Sequence, residues 1–151
     1  MQKITTFLWF DKEAEEAAKH YVSIFRNSKI LGLTRYGEAG PGPKGTVMTI
    51  NFQLDGQEFA ALNGGPLFKF SEAISLVVNC ETQEEVDEMW EKLSAGGQPG
   101  QCGWLKDRFG LSWQVVPKGL GALLQGSDPV RSKRVMDALM QMRKLDIDRL
   151  R

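Results

Sequence analysis

Apolar and polar positions follow two rhythms along this chain, and the rhythms succeed one another in the same order twice. Lys3 to Phe10 is rich in threonine and aromatics, as strands are. Asp11 is placed to cap a helix in which Ala14, Ala17, Ala18, Tyr21, Val22 and Phe25 recur at helical spacing. Glu13, Glu15, Glu16 and Lys19 take the opposite face, and the early acids suit the positive end of the helix dipole. Asn27-Ser28 ends the helix, and Ile30 to Tyr36 reads as a second strand. The Gly- and Pro-rich run from Gly37 to Gly45 is a loop. Thr46 to Leu54 then alternates, with Met48, Ile50, Phe52 and Leu54 on one face. Asp55-Gly56 is a hairpin signal, Glu58 to Leu62 returns, and Asn63-Gly64-Gly65-Pro66 stops the strand.

The second half repeats the order. Ala73 to Cys80 is an apolar strand, and Thr82 with Glu85 forms a capping box. Val86, Met89, Trp90 and Leu93 line the buried side of the next helix, which ends at Ala95-Gly96-Gly97. A short strand near Gln98 precedes two longer ones, Gln101 to Phe109 and Leu111 to Val116, joined at Gly110. Asp128 caps a last helix with Pro129 in its first turn, and Val135, Ala138, Leu139 and Met142 form its core stripe. Glu15, Ala17, Tyr21 and Ile24 match Glu84, Val86, Trp90 and Leu93 at a constant offset of 69. The chain therefore holds two copies of one strand–helix–hairpin unit. Each is too small to bury its sheet alone, so the two are expected to share a core.

Composition narrows the chemistry. The chain has 151 residues with 19 basic and 19 acidic side chains, one His and two Cys. Zero net charge argues against nucleic-acid binding, which needs a basic excess. The balance hides an acidic middle and a basic tail after residue 130, which reads as a solvated helix face. No apolar run reaches the ~18 residues of a membrane span, and the N-terminus lacks a signal-peptide pattern, so a cytoplasmic protein with reduced thiols is expected.

Several blocks in this order resemble the vicinal oxygen chelate superfamily, which holds glyoxalase I, bleomycin-resistance proteins and extradiol dioxygenases. They are Phe7-Leu8-Trp9-Phe10-Asp11 with Ala14-Glu15-Glu16-Ala17-Ala18, Ala61-Leu62-Asn63-Gly64-Gly65-Pro66 with Phe68-Lys69-Phe70, Ala73-Ile74-Ser75, and Gly103 to Gln114. The closer resemblance is to the PhnB-like branch, which carries the name 3-demethylubiquinone-9 3-methyltransferase. It implies an α+β fold of two βαβββ modules, about 1–66 and 72–120, forming one domain with a shared, curled mixed sheet and a cleft. A C-terminal helix is expected over about 128–146. The edges of such sheets and the Met-bearing tail suggest a homodimer.

The superfamily usually holds a divalent metal in the cleft through His, Glu or Gln. The corresponding positions here fall near Thr5, near Asn63, at Ser75 and at Gln114, a poor donor set for a transition metal. No metal or other cofactor is therefore expected. The methyltransferase name finds no support either, because no glycine-rich turn leads from a strand into a helix. Asn63, Ser75 and Gln114 become candidates for binding a small polar ligand, with Trp104, Phe7 and Phe52 as aromatic walls. His20, on the first helix, reads as a boundary residue, and Lys106-Asp107-Arg108 as an exposed hairpin tip. No residue pair demands catalysis. The sequence therefore favours a small-molecule-binding protein acting by sequestration or sensing. An enzyme of the same superfamily and a mainly structural or interaction domain are the alternatives.

Overall fold

The alternation of Thr46–Leu54 works as expected, because one face of its strand lies under a helix. The computed structural model describes residues 2–151, and the chain divides into two units between Phe70 and Ser71. The first contains β1 (Thr6–Phe10), α1 (Ala14–Ile24), β2 (Lys29–Arg35), β3 (Val47–Leu54) and β4 (Gln57–Asn63). Its sheet runs β1-β4-β3-β2. β1 lies parallel to β4, with Leu8 opposite Ala61, and the other pairs are antiparallel. Asp55 and Gly56 both take positive φ, 48° and 82°, as the tight hairpin between β3 and β4 requires.

Leu8, Phe10, Ile50, Phe52, Phe59 and Ala61 are buried on the sheet, and Ala14, Ala17, Ala18, Tyr21 and Ile24 are buried on α1. The three alanines let the helix approach the sheet closely. Phe52 stacks on Phe59 with ring centroids 5.5 Å apart and lies 6.4 Å from the Tyr21 ring. Fully burying a side chain of this size stabilises by about 1.5–3 kcal/mol, so this cluster anchors the unit.

The second unit repeats the topology. β5 (Leu76–Cys80), α2 (Gln83–Ser94), β6 (Gln98–Pro99), β7 (Trp104–Lys106) and β8 (Ser112–Pro117) form a sheet in the order β5-β8-β7-β6. β5 and β8 are parallel, with Val78 opposite Val115. Two four-stranded mixed sheets with helices make an α+β fold, as the internal repeat predicts. Thr82 Oγ1 accepts the Glu85 N–H at 3.1 Å. Glu85 reaches back to the N–H of Glu81 at 2.8 Å, one residue beyond the ordinary capping box.

Local chemistry trims several expected elements. β1 begins at Thr6 and β5 at Leu76, later than the residue patterns suggest. Asp11 does not cap α1; Glu13 occupies that position without a side-chain cap. The expected strand Gln101–Phe109 survives only as β7, three residues long. Cys102 and Gly103 have φ of 60° and 85°, which turns the chain before Trp104. The Asp107 side chain accepts the N–H groups of Phe109 and Leu111 at 2.9 and 3.0 Å, which turns it again after Lys106.

The expected helix over 128–146 ends early, as α4 (Pro129–Met140), with a short α3 (Leu120–Leu124) before it and a separate α5 (Ile147–Leu150) after it. Asp128 caps α4 as anticipated, accepting from Val130 and Arg131. α4 stops because the next residues have partners elsewhere. The carbonyls of Met142 and Arg143 accept the N–H groups of Cys102 and Gly103, both at 2.8 Å. Gln83 on α2 clamps the segment leading into α5, donating to Leu145 O at 3.0 Å and accepting from Ile147 N at 2.8 Å. Val135, Leu139, Met142, Leu145 and Leu150 bury together as a small core beneath this strap. No helix among the described residues is long and apolar enough to cross a membrane.

Candidate functional site

Strand parity decides which side chains are open to a ligand. In the first unit the residues in step with Leu8 and Ala61 face α1, and those in step with Phe7 and Ala60 occupy the uncovered face. Phe7 is on that face and 58% exposed. Phe52 is fully buried under α1, so it is a core residue and forms no accessible wall. Thr5 is exposed just before β1. His20 lies on α1 with its ring 5.9 Å from that of Tyr21, away from the open face.

Asn63 belongs to the helix-facing parity, with Ala61. Its Oδ1 accepts the Ala14 N–H at 2.8 Å, and its Nδ2 donates to Val47 O at 3.1 Å. Its carbonyl accepts the hydroxyl of Tyr36 at 2.5 Å. These bonds join α1, β3 and the end of β2 to β4. The register also shows which residue in the first unit corresponds to Gln114. Gln114 pairs with Val77 as Ala60 pairs with Phe7, so the equivalent position holds a methyl group and Asn63 corresponds to Pro117.

In the second unit the open face carries Ser75, Val77, Trp104 and Gln114. Gln114 lies between Val77 on β5 and Trp104 on β7. Its Nε2 donates to Ser75 Oγ at 3.0 Å. Three of the six candidate residues are thus gathered on one face, two of them bonded to each other. Ser112 lies two residues along β8, 1% exposed, and its hydroxyl has no hydrogen-bond partner among the described residues. Lys106 pairs with Glu72, and that hydrogen bond holds the Glu72 carboxyl below its ordinary range.

Asp107 is not part of an exposed tip. It is 3% exposed and also accepts the indole N–H of Trp113 at 2.9 Å. Arg108 lies out in solvent, its guanidinium 4.7 Å from the Phe109 ring centroid, and Lys106 is partly exposed in its pair with Glu72. The signal was available in the sequence: an Asp two residues before an aromatic and three before Gly is a turn-forming acceptor. Trp9 reads in the sequence as a strand aromatic suited to core packing. It donates to Gly65 O at 2.9 Å and meets Phe68 edge-on at 4.9 Å. A Cβ at Gly64 would lie 2.4 Å from the Trp9 ring, which explains the glycine.

This arrangement of elements can be set beside known proteins. The family model for 3-demethylubiquinone-9 3-methyltransferase matches residues 2–116. The chain belongs to that family. A PhnB protein from Bacillus cereus, bearing the same methyltransferase name, is 44% identical; the match covers 77% of this chain and 99% of that one, with a TM-score of 0.69. A protein from Pseudomonas aeruginosa is 18% identical over 78% of this chain and 98% of its own, with a TM-score of 0.65. A fosfomycin resistance protein from Listeria monocytogenes, solved with manganese(II) and sulfate, is 16% identical over 78% of this chain and 91% of its own, with a TM-score of 0.52. The last two show a shared fold alone. No curated protein matches the chain.

The groups that the family and fold imply do not fit the residues present. In the first unit Thr5 and Ala60 offer a hydroxyl and a methyl group, and in the second Ser75 and Gln114 offer a hydroxyl and a neutral amide, whereas a divalent transition metal takes imidazole, thiolate or carboxylate. Among the described residues no three His, Cys, Asp or Glu side chains come together to hold a metal. A methyl-donor cofactor of the usual kind would need a glycine-rich turn opening a helix. Gly64 and Gly65 instead come after β4, fitted around Trp9, and no helix succeeds them in the first unit.

Proposed function

We propose that this family member binds a small organic molecule with hydrogen-bonding groups on the open face of its second sheet, and acts by sequestering or sensing it. The observation that carries this reading is the Gln114–Ser75 hydrogen bond at 3.0 Å beside Trp104. A neutral amide and a hydroxyl can exchange their mutual bond for bonds to a ligand at little cost, and an indole supplies a flat apolar wall. Aromatic and quinone-like molecules with carbonyl or hydroxyl edges match that combination.

A thermal-shift screen with aromatic, quinone-like and antibiotic compounds tests the reading. A stabilising compound is expected whose effect disappears in the Ser75→Ala, Gln114→Ala double variant. Binding that survives the double variant would overturn the site, and stoichiometric zinc, nickel, iron or manganese in protein purified without chelator would overturn the metal-free chemistry. We further propose a homodimer, supported by the exposed Val130, Met136 and Met140 on α4. A monomer by light scattering at micromolar concentration would refute it.

A further inference from the structure

The glycine- and proline-rich loop between β2 and β3 is built, and it shapes a groove. The Gly45 N–H donates to Tyr36 O and the Tyr36 N–H to Thr46 O, both at 2.8 Å. Thr46 donates to Pro43 O from its hydroxyl at 2.6 Å and from its N–H at 3.2 Å. The Tyr36 side chain is only 6% exposed, and a Cβ at Gly42 would lie 2.3 Å from its ring, so the loop is seated directly on the aromatic face. Between this loop, the start of α1 and the Asn63–Gly65 segment lies a groove of about 640 Å³. That volume falls in the range of small-molecule sites.

The groove lies wholly within the first unit and its charges are paired in kind. Arg35 at the end of β2 and Lys12 ahead of α1 supply two cations from different elements, and Asp11 and Glu15 supply two carboxylates, Glu15 with one oxygen paired to Lys19 at 2.9 Å. Arg35 uses Nη1 to donate to Gly45 O at 3.1 Å, which ties the guanidinium to the loop and leaves most of its donors for an anion. The exposed Pro41 and Pro43 add apolar surface between the charged groups. A simple anion would meet the two carboxylates and a simple cation the two bases. A molecule carrying both charges satisfies all four.

We propose that this groove binds a small zwitterion of the amino-acid class, with its acidic group at Arg35 and Lys12, its ammonium at Asp11 and Glu15, and an apolar side chain against Pro41 and Pro43. This site is separate from the Ser75–Gln114 face and does not rest on the function proposed for that face.

The test is an amide-resolved NMR titration of the full chain with L-phenylalanine. Shifts are expected at residues 11–15, 35–46 and 64–65. Phenylalanine methyl ester lacks the acid and 3-phenylpropionate lacks the amine, and each is expected to bind about 10-fold more weakly. The exposed Arg35→Ala and Asp11→Asn changes should weaken phenylalanine binding to a similar degree with the rest of the spectrum unchanged, and Gln114→Ala should leave it as it is. The proposal is overturned if phenylalanine gives no shifts there, if either half-charged analogue binds as well as phenylalanine, or if both groove variants bind like the original chain. Loss of binding in Gln114→Ala would place the ligand elsewhere and overturn it equally.

Discussion

The side-chain oxygen of Asn63 accepts the backbone N–H of Ala14 at 2.8 Å, capping α1 from the far end of β4. A helix leaves its first N–H groups without intrahelical partners, and here the cap comes from 49 residues away in sequence. Asn63→Ala is expected to lower stability by about 1–2 kcal/mol, through the lost cap and the unpaired Val47 carbonyl. Asn63→Asp keeps the acceptor and should recover part of the loss. Urea unfolding of the three proteins checks this, and equal midpoints would show that the bond carries no stability.

Asp107 gathers three donors: Phe109 N, Leu111 N and the Trp113 indole. It is buried, so truncation takes this acceptor from all three. Asp107→Ala should cost about 3 kcal/mol or more. The loss should appear as an earlier denaturation midpoint and a changed Trp113 indole resonance. A variant within about 0.5 kcal/mol of the parent would contradict the role assigned to this carboxylate.

Asp87 on α2 connects the strap to the second sheet's helix. Lys144 donates to it at 2.8 Å and Gln83 at 3.0 Å, and these bonds, that of Lys144 first, hold its carboxyl below the ordinary 3.8. A carboxyl whose folded pKa is depressed adds stability above the unfolded pKa, and the contribution fades as pH falls through the folded value. Lys144→Met should therefore be less stable than the parent at neutral pH, with the gap closing on acidification below about pH 3.8. The pair is open to solvent, so the gap should be small and should shrink in salt. Denaturation midpoints across an acid series would decide it, and a constant gap would exclude Asp87 as its source.

The two cysteines should differ in reactivity. Cys80 is fully buried, and burial, aided by Glu85, pushes its thiol up to about 12. Cys102 is half-buried, with Met140 Sδ 3.7 Å from its sulfur. Since the thiolate is the nucleophile, iodoacetamide at about pH 8 should alkylate Cys102 and spare Cys80 until the protein unfolds. Peptide mass mapping reads the outcome, and equal labelling in the folded state would reject it.

Periodicity alone located both amphipathic helices, the β3–β4 hairpin, the Asp128 cap and the doubled order of elements, because each depends on neighbours within a few residues. Strand ends were harder to read. The run from Gln101 to Phe109 looks extended in sequence, but Asp107 folds the chain back through donors that include the indole of Trp113 on the next strand. The 128–146 helix stopped at Met140 for the same kind of reason, the carbonyls of Met142 and Arg143 being taken by Cys102 and Gly103.

The candidate site divides along the same line. The family resemblance put Ser75, Trp104 and Gln114 among the candidate residues, and the second sheet brings all three to one face. Nothing in the local pattern could show that Asn63 turns toward α1, that Phe52 lies beneath Tyr21, or that the 37–45 loop closes on Tyr36 to form a groove. By itself the sequence determined which elements form and that they form twice, since those depend on local spacing and caps. The tertiary structure decided which polar groups remain free for a ligand, since that depends on partners brought in from distant parts of the chain.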